Sequence, residues 1–160
     1  VLHKALRKAF ERDVAQEPTS PLEAEVLLKA AVKNEHGLEM ANFILNRYQM
    51  TDKRIRVSTT LLEAAADNGA LAPEMLRLLL GQCDDSWVES LITVDVLVKA
   101  ATNGYEAPEA LRMLLMELTP AKLSAEDKTT LRAAIEKNPK QDAITETFRV
   151  YQQFLSESDE

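Results

Sequence analysis

Apolar residues follow a helical spacing along most of this chain, and they occur in pairs of short segments that return after 34 or 35 residues. The clearest repeat is the stretch 72–80, with the sequence APEMLRLLL, which returns at 107–115 as APEALRMLL. In each first segment the apolar residues are three or four positions apart, as on one face of a helix. Each second segment is apolar over most of its circumference, as in a buried helix. A fixed period of roughly 20 to 50 residues is typical of proteins built from stacked repeats.

An asparagine occupies the same place in each unit, between the first and the second segment: Asn34, Asn68, Asn103 and Asn138. We interpret each one as the residue that ends a first helix and caps its backbone. The glycine that follows Asn68 and Asn103 suits a chain that leaves a helix through the left-handed region. An alternative interpretation is a ladder of side-chain amides that binds an extended peptide.

These patterns predict an all-α protein with a single domain over residues 1–160, an α-solenoid of about four and a half helix–turn–helix repeats with a period of 34–35 residues. Because one unit buries too few leucines to offset its chain entropy, its stability must come from stacking on its neighbours. The predicted units are a partial N-terminal unit at 1–16, repeats at 20–50, 55–83 and 92–118, and a drifted C-terminal capping unit at 124–156.

Helix starts are also visible in the sequence. Ser124 and Asp127 have the spacing of a capping box. Pro73 and Pro108 lie where second helices are predicted to begin, a position at which the missing amide of proline is tolerated.

Composition narrows the classes of partner. The formal charge of −7 argues against nucleic acid, because phosphate binding needs a clustered basic face. No apolar stretch approaches the roughly 18 residues of a membrane span, and no signal peptide is visible, so we expect a cytoplasmic protein without a membrane partner. Cys83 is the only cysteine, which excludes an internal disulfide, and Asp84 and Asp85 beside it should disfavour its thiolate.

No catalytic constellation is present in the sequence. The two histidines, His3 and His36, have no neighbour that would complete a metal pair, and no phosphate-binding glycine loop occurs. The carboxylates follow the exposed faces of the predicted helices. We therefore expect no enzyme activity, no cofactor and no bound metal.

The candidate binding residues are those that vary between units while the scaffold repeats. Three first helices carry charges that alternate in sign along the stack, and two aromatic side chains lie in the connections, where Trp and Tyr are favoured as interface anchors. Trp87 could instead fold back over the edge of the core. The candidates are Lys29, Lys33, Glu63, Asp67, Lys99, Trp87 and Tyr105.

The run TLLEAAADNG at 60–69, followed by EMLRLLL at 74–80, resembles an ankyrin repeat, with its threonine-leucine opening, alanines, Asn-Gly and triple leucine. The unit ITVDVLVKAATN at 92–103 is similar to the degenerate ankyrin-like repeats of large fungal multidomain proteins. Where the ankyrin pattern has Thr-Pro-Leu-His, this chain has Thr-Thr-Leu-Leu at 59–62. Its connections also lack the glycine and proline that shape the β-hairpin finger of an ankyrin repeat. The resemblance implies a fold and a binding role, and it carries over no catalytic residue.

The function expected from these observations is a non-catalytic protein-interaction or scaffolding module, a fragment of a larger intracellular protein. One alternative is a regulatory or sensor segment that gates a nucleotide-binding signalling module. Another is a secreted effector that acts on host proteins. The partner and the oligomeric state stay open.

Overall fold

The structure, a computed structural model, describes residues 21–49, 56–119, 122–147 and 149, and all of the regular secondary structure in these ranges is helical. The prediction of an all-α protein is therefore confirmed for the described part of the chain. The predicted partial unit at 1–16, and residues 148 and 150–156 of the predicted C-terminal unit, lie outside the described residues. The chain divides into two compact units, Val1–Arg56 and Val57–Glu160.

The first unit contains helices α1 (Pro21–Lys33) and α2 (Leu38–Gln49), which pack against each other. Each helix contributes a stripe of fully or almost fully buried side chains to the core of this unit, three or four residues apart as an amphipathic helix requires. The buried residues are Leu28, Ala31 and Val32 on α1 and Ala41, Ile44 and Leu45 on α2.

The turn between α1 and α2 depends on Gly37. The Asn34 amide donates to the Ala31 carbonyl (3.1 Å), and the Gly37 amide donates to the Asn34 carbonyl (3.0 Å), so the chain reverses tightly. A Cβ atom at position 37 would lie 1.8 Å from the Ala31 carbonyl oxygen. Only glycine fits at this close approach of backbone to backbone.

The second unit contains the remaining described helices. A 3₁₀ turn at Gly69–Leu71 leads into the second of these helices, and the connection 81–93 contains a short helix, α5. The helices are α3 (Thr59–Ala66), α4 (Ala72–Leu80), α5 (Val88–Leu91), α6 (Val94–Ala101), α7 (Ala107–Met116), α8 (Ala125–Glu136) and α9 (141–147).

The boundaries of these helices follow from local side-chain chemistry. The Ser124 hydroxyl accepts a hydrogen bond from the Asp127 amide (3.1 Å), and the Asp127 carboxylate accepts one from the Ser124 amide (3.2 Å), which confirms the predicted capping box. Ser58 caps α3 in a similar way by accepting from the Leu61 amide (3.3 Å). Pro73 and Pro108 lie in the first turns of α4 and α7, as predicted.

The helices of the second unit pack in two rows. The first row is α3, α6 and α8, in which α6 contacts the helix on either side. The second row is α4 and α7, which contact each other, and each of these also packs against the first-row helix that precedes it in the chain.

Small residues line the contact within the first row, and leucines fill the space between the rows. Alanine pairs on α3 and α6 are completely buried, which allows the helix backbones to approach closely. Each buried leucine stabilises the folded unit by roughly 1.5–3 kcal/mol. In the described part of this unit the completely buried alanines and leucines are Ala65, Ala66, Ala72, Ala100, Ala101, Ala107, Ala110, Leu62, Leu76, Leu79, Leu97, Leu111, Leu114 and Leu131.

We predict that Gly37→Ala lowers the free energy of unfolding of the first unit by about 1–3 kcal/mol, because the added methyl group overlaps the Ala31 carbonyl and the turn must open. Urea unfolding followed by circular dichroism measures the change. Gly104→Ala is the matched control, because a Cβ at position 104 meets no atom within 4 Å. Equal unfolding midpoints for the two variants would contradict the prediction.

Candidate functional site

Three asparagines form the buried polar part of the second unit. Asn68, Asn103 and Asn138 have 7%, 5% and 5% of their surface exposed, and they follow α3, α6 and α8 in the chain. A buried amide is tolerated only when it is hydrogen-bonded, since the unpaired group costs free energy. Their hydrogen bonds therefore show what these residues do.

Asn103 joins two helix pairs. Its Nδ2 donates to the carbonyl oxygens of Ala66 (3.0 Å) and Gly69 (2.9 Å), and its Oδ1 accepts from the amides of Tyr105 (2.8 Å) and Glu106 (3.1 Å). Ala66 is the last residue of α3, so its carbonyl belongs to the group that a helix cannot satisfy internally. Asn103 thus caps the end of the preceding first-row helix and at the same time shapes the turn that leads into α7.

Asn138 repeats this arrangement 35 residues later. Its Nδ2 donates to the carbonyls of Ala101 (2.7 Å), the last residue of α6, and of Asn103 (2.9 Å), and its Oδ1 accepts from the Lys140 amide (2.9 Å). In the first unit the Asn34 Oδ1 accepts from the His36 amide (2.8 Å) in the same local pattern. The spacing seen in the sequence therefore corresponds to a recurring side-chain geometry.

The structure corrects the expected role of these asparagines. Through their side-chain hydrogen bonds, Asn103 caps α3 and Asn138 caps α6, so each asparagine caps the preceding first-row helix and not the helix that it directly follows. Both amide hydrogens of each residue are used within the chain, so neither side chain offers the free amide that a peptide-binding ladder would need. Gly69 has a positive φ of 38°, as expected for Asn-Gly, whereas Gly104 does not have a positive φ and the expectation is wrong there.

Two of the charged candidate residues on the first-row helices form an ion pair with each other. Asp67 at the end of α3 and Lys99 on α6 approach to 4.0 Å and are 62% and 48% exposed. An exposed pair at this distance contributes little to stability. Glu63 is half-buried on α3, while Lys29 and Lys33 are exposed on α1 of the first unit.

Tyr105 is an exposed aromatic residue whose backbone amide and carbonyl are both hydrogen-bonded to side chains. Its surface is 63% exposed, and its ring lies beside Gly69, 3.7 Å from the place where a Cβ of that residue would stand. Its backbone amide donates to Asn103 Oδ1, and its carbonyl accepts a hydrogen bond from the Lys140 ammonium group. These two hydrogen bonds hold the backbone of Tyr105 at the surface.

Trp87 lies in the connection before α5 and α6, whereas Tyr105 follows α6 in the chain. The Trp87 side chain is half-buried, and its carbonyl accepts a hydrogen bond from the Ser90 hydroxyl (2.6 Å). Of the seven candidate residues, Lys29 and Lys33 belong to the first unit and the other five to the second.

Glu89 is a residue that the sequence interpretation missed. Its carboxylate accepts a hydrogen bond from the Thr119 amide and so joins α5 to the connection between α7 and α8. This hydrogen bond lowers the pKa of the Glu89 carboxyl group below its ordinary value, and Lys122 acts in the same direction. Glu89 and Thr119 are 30 residues apart, so no local pattern in the sequence signals their contact.

Cys83 is less reactive than a free cysteine, for a reason that differs from the expected one. Burial raises the pKa of its thiol from the ordinary 9.0 to about 11, and the charge of Glu117 adds to this effect. The thiol lies 3.4 Å from the Leu79 carbonyl, to which it donates. The expected contribution of Asp84 and Asp85 is not among the causes.

Among the described residues, no group of three or more histidine, cysteine or acidic side chains is arranged to hold a metal ion. Within the same ranges no helix combines the length and the apolar character that a membrane span requires. Comparison of the chain with models of protein families, with curated proteins and with solved structures found no match.

We predict that Asn103→Ala lowers the free energy of unfolding by about 1–3 kcal/mol, because the carbonyls of Ala66 and Gly69 lose their buried partner. Equilibrium unfolding in urea measures the loss. Asn46→Ala is the matched control: Asn46 is exposed and its amide donates only to Asn42 (3.2 Å), so its removal should change stability by less than about 0.5 kcal/mol. The asparagine network would be unimportant if both variants unfolded at the same midpoint.

We predict that the Cys83 thiol reacts with a thiolate-specific reagent at pH 8 roughly one hundredfold more slowly in the folded chain than in urea, because its pKa is raised to about 11. The thiol is the favoured form in the folded state, so its contribution to stability is complete below about pH 9 and is lost as the pH rises through about 11. Stopped-flow absorbance of the released chromophore gives the rates. Equal rates in the folded and the unfolded chain would contradict the raised pKa.

Proposed function

We propose that the chain is an ankyrin-like α-solenoid of about four and a half helix pairs that binds a protein partner and catalyses no reaction. The observation that carries this proposal is the recurrence of one hydrogen-bond pattern at Asn103 and Asn138, each bonded to the end of the preceding first-row helix. A scaffold that repeats in this way presents a continuous surface whose exposed residues are free to differ between units, and such surfaces serve as binding sites in repeat proteins.

The binding surface that we propose is the end of the second unit that carries Tyr105. Aromatic residues are frequent anchors of protein interfaces, and an anchor that is already ordered loses less conformational entropy on binding. Tyr105 is 63% exposed, and its backbone is already held by hydrogen bonds to Asn103 and Lys140, so less backbone freedom is lost when a partner binds.

Charged residues extend this surface along the first row. Asp67 and Lys99 are exposed and only loosely paired at 4.0 Å, so a partner can replace their mutual contact with its own charges at small cost. Glu63 lies one turn before Asp67 on the same helix. Charges of both signs favour a partner with a mixed and complementary pattern, which sets specificity and association rate more than affinity.

A cytoplasmic location and a place within a larger protein belong to the same proposal. With Cys83 as its only cysteine, the chain has no internal disulfide of the kind that small extracellular domains commonly use.

We predict that Tyr105→Ala weakens binding of the partner by about tenfold or more, because it removes an ordered aromatic anchor. The partner is captured on the immobilised chain from cells of the source organism, identified by mass spectrometry and purified, and its dissociation constant is measured by isothermal titration calorimetry. Lys99→Gln should weaken binding less and should lower the salt sensitivity of association, because it removes one of the charges whose attraction salt screens.

Met116→Ala is the matched control, because Met116 is 70% exposed and lies at the end of α7, which begins shortly after Tyr105. The control variant should bind as the unchanged chain does. The proposed surface is refuted if hydrogen exchange in the complex shows protection that avoids residues 63–71 and 99–106. Capture of no saturable partner would refute the binding function itself.

A further inference from the structure

Two of the buried asparagines are followed by glycine, and this pairing has a chemical consequence. In an asparagine–glycine sequence the glycine nitrogen can attack the side-chain carboxamide carbon Cγ, since glycine has no side chain to obstruct the approach. A bond forms between this nitrogen and Cγ, the bond from Cγ to Nδ2 breaks, and Nδ2 leaves as ammonia with the proton lost from the glycine nitrogen. Water then opens the resulting ring to give aspartate or isoaspartate.

The structure opposes this reaction at Asn103. Its carboxamide is 5% exposed and is held by four hydrogen bonds, two from Nδ2 to Ala66 and Gly69 and two to Oδ1 from Tyr105 and Glu106. For ring closure the carboxamide must rotate towards the Gly104 nitrogen and give up these bonds. The chemistry is therefore restricted to moments when α6 and its turn separate from α3.

The product of the reaction no longer fits the position that Asn103 occupies. An aspartate carboxylate has no hydrogen to donate, so its oxygens would face the carbonyl oxygens of Ala66 and Gly69, which are bonded by Nδ2 in the intact chain. Burying an unpaired charge against two acceptors is strongly unfavourable. A chain modified in this way cannot restore the contact between the two helix pairs.

We propose that Asn103 is a deamidation site controlled by helix stacking, at which separation of α3 and α6 permits a one-way conversion that prevents them from stacking again. Aspartate or isoaspartate at position 103 therefore indicates that the second unit has opened at some earlier time. The reactant that completes the step is water, and the products are an acidic side chain and ammonia.

Asn138 provides an internal control. It has the same amide contacts with the preceding first-row helix, but Pro139 follows it, and a proline nitrogen carries no hydrogen and cannot close the ring. Asn68 is also buried and is followed by Gly69, so it should react in the unfolded chain.

The experiment incubates the full chain at neutral pH, both folded and in urea, and determines aspartate and isoaspartate by mass spectrometry. Cleavage after glutamate separates the three asparagines into the peptides 64–74, 90–106 and 137–146. In urea we expect conversion at Asn68 and Asn103 and none at Asn138. In the folded chain we expect conversion at Asn103 to be slower by at least about tenfold, because its rate follows the fraction of open molecules.

A second measurement uses Gly104→Ala, which should keep the fold because a Cβ at that position meets no atom within 4 Å and Gly104 does not have a positive φ. The methyl group hinders attack on Cγ. After the same incubation in urea and dilution into buffer, the unchanged chain should refold to a lower urea midpoint, as Asn103→Asp does. In Gly104→Ala only Asn68 keeps a following glycine, so the midpoint of this variant should fall by less than that of the unchanged chain.

If Asn103 were converted at the same rate in the folded chain and in urea, the proposal that helix stacking controls the reaction would be overturned. Conversion of Asn138 as fast as Asn103 would overturn the reaction that we propose. An unchanged unfolding midpoint for both Asn103→Asp and the incubated chain would overturn the consequence for stacking.

Discussion

The arrangement of the second unit depends on side-chain amides that follow one first-row helix and bond the end of the first-row helix before it. Asn103 donates one amide hydrogen to the last carbonyl of α3, on Ala66, and the other to Gly69 in the turn that follows, and Asn138 bonds Ala101 and Asn103 in the same way at the end of α6. Leucine contacts between helices drive association, but they are non-directional and tolerate some displacement. A hydrogen bond weakens steeply away from its preferred geometry. The buried amides therefore define the register in which the leucines and alanines pack.

The same hydrogen bonds satisfy carbonyl groups at the ends of the helices, which have no partner within a helix. The carbonyls of Ala66 and Ala101, the last residues of α3 and α6, lie beyond the hydrogen-bond ladder of their own helices, and both residues are completely buried. Because the next helix pair supplies the donor, the Ala66 and Ala101 carbonyls have their side-chain partner only when that next pair is in place. This dependence gives a physical basis for cooperativity between units, in addition to the burial of apolar surface. It also places Tyr105 and Lys140 at the surface, since the turns that carry them begin at Asn103 and Asn138.

Local features of the sequence predicted local features of the structure well. The capping box at Ser124 and Asp127 and the proline at the start of α4 and α7 are present as expected, because each depends on residues within one turn of a helix. Expectations that required knowledge of distant neighbours were less successful. The expected conformation is found at Gly69 and not at Gly104, the raised pKa of Cys83 comes from burial and Glu117, and the contact of Glu89 with Thr119 spans two helices.

The period of 34–35 residues, the all-helical character and the regular placement of the asparagines are determined by the sequence alone, since hydrophobic spacing and capping residues act over a few positions. The partner of each asparagine was decided only by the tertiary structure. A side-chain amide after a helix can satisfy the carbonyls of its own helix or those of an adjacent one, and the pattern of residues is the same in both cases. The choice depends on which helix end the packing of alanines and leucines brings within hydrogen-bond distance. In this protein it is the end of the preceding first-row helix, at 3.0 Å for Asn103 and 2.7 Å for Asn138.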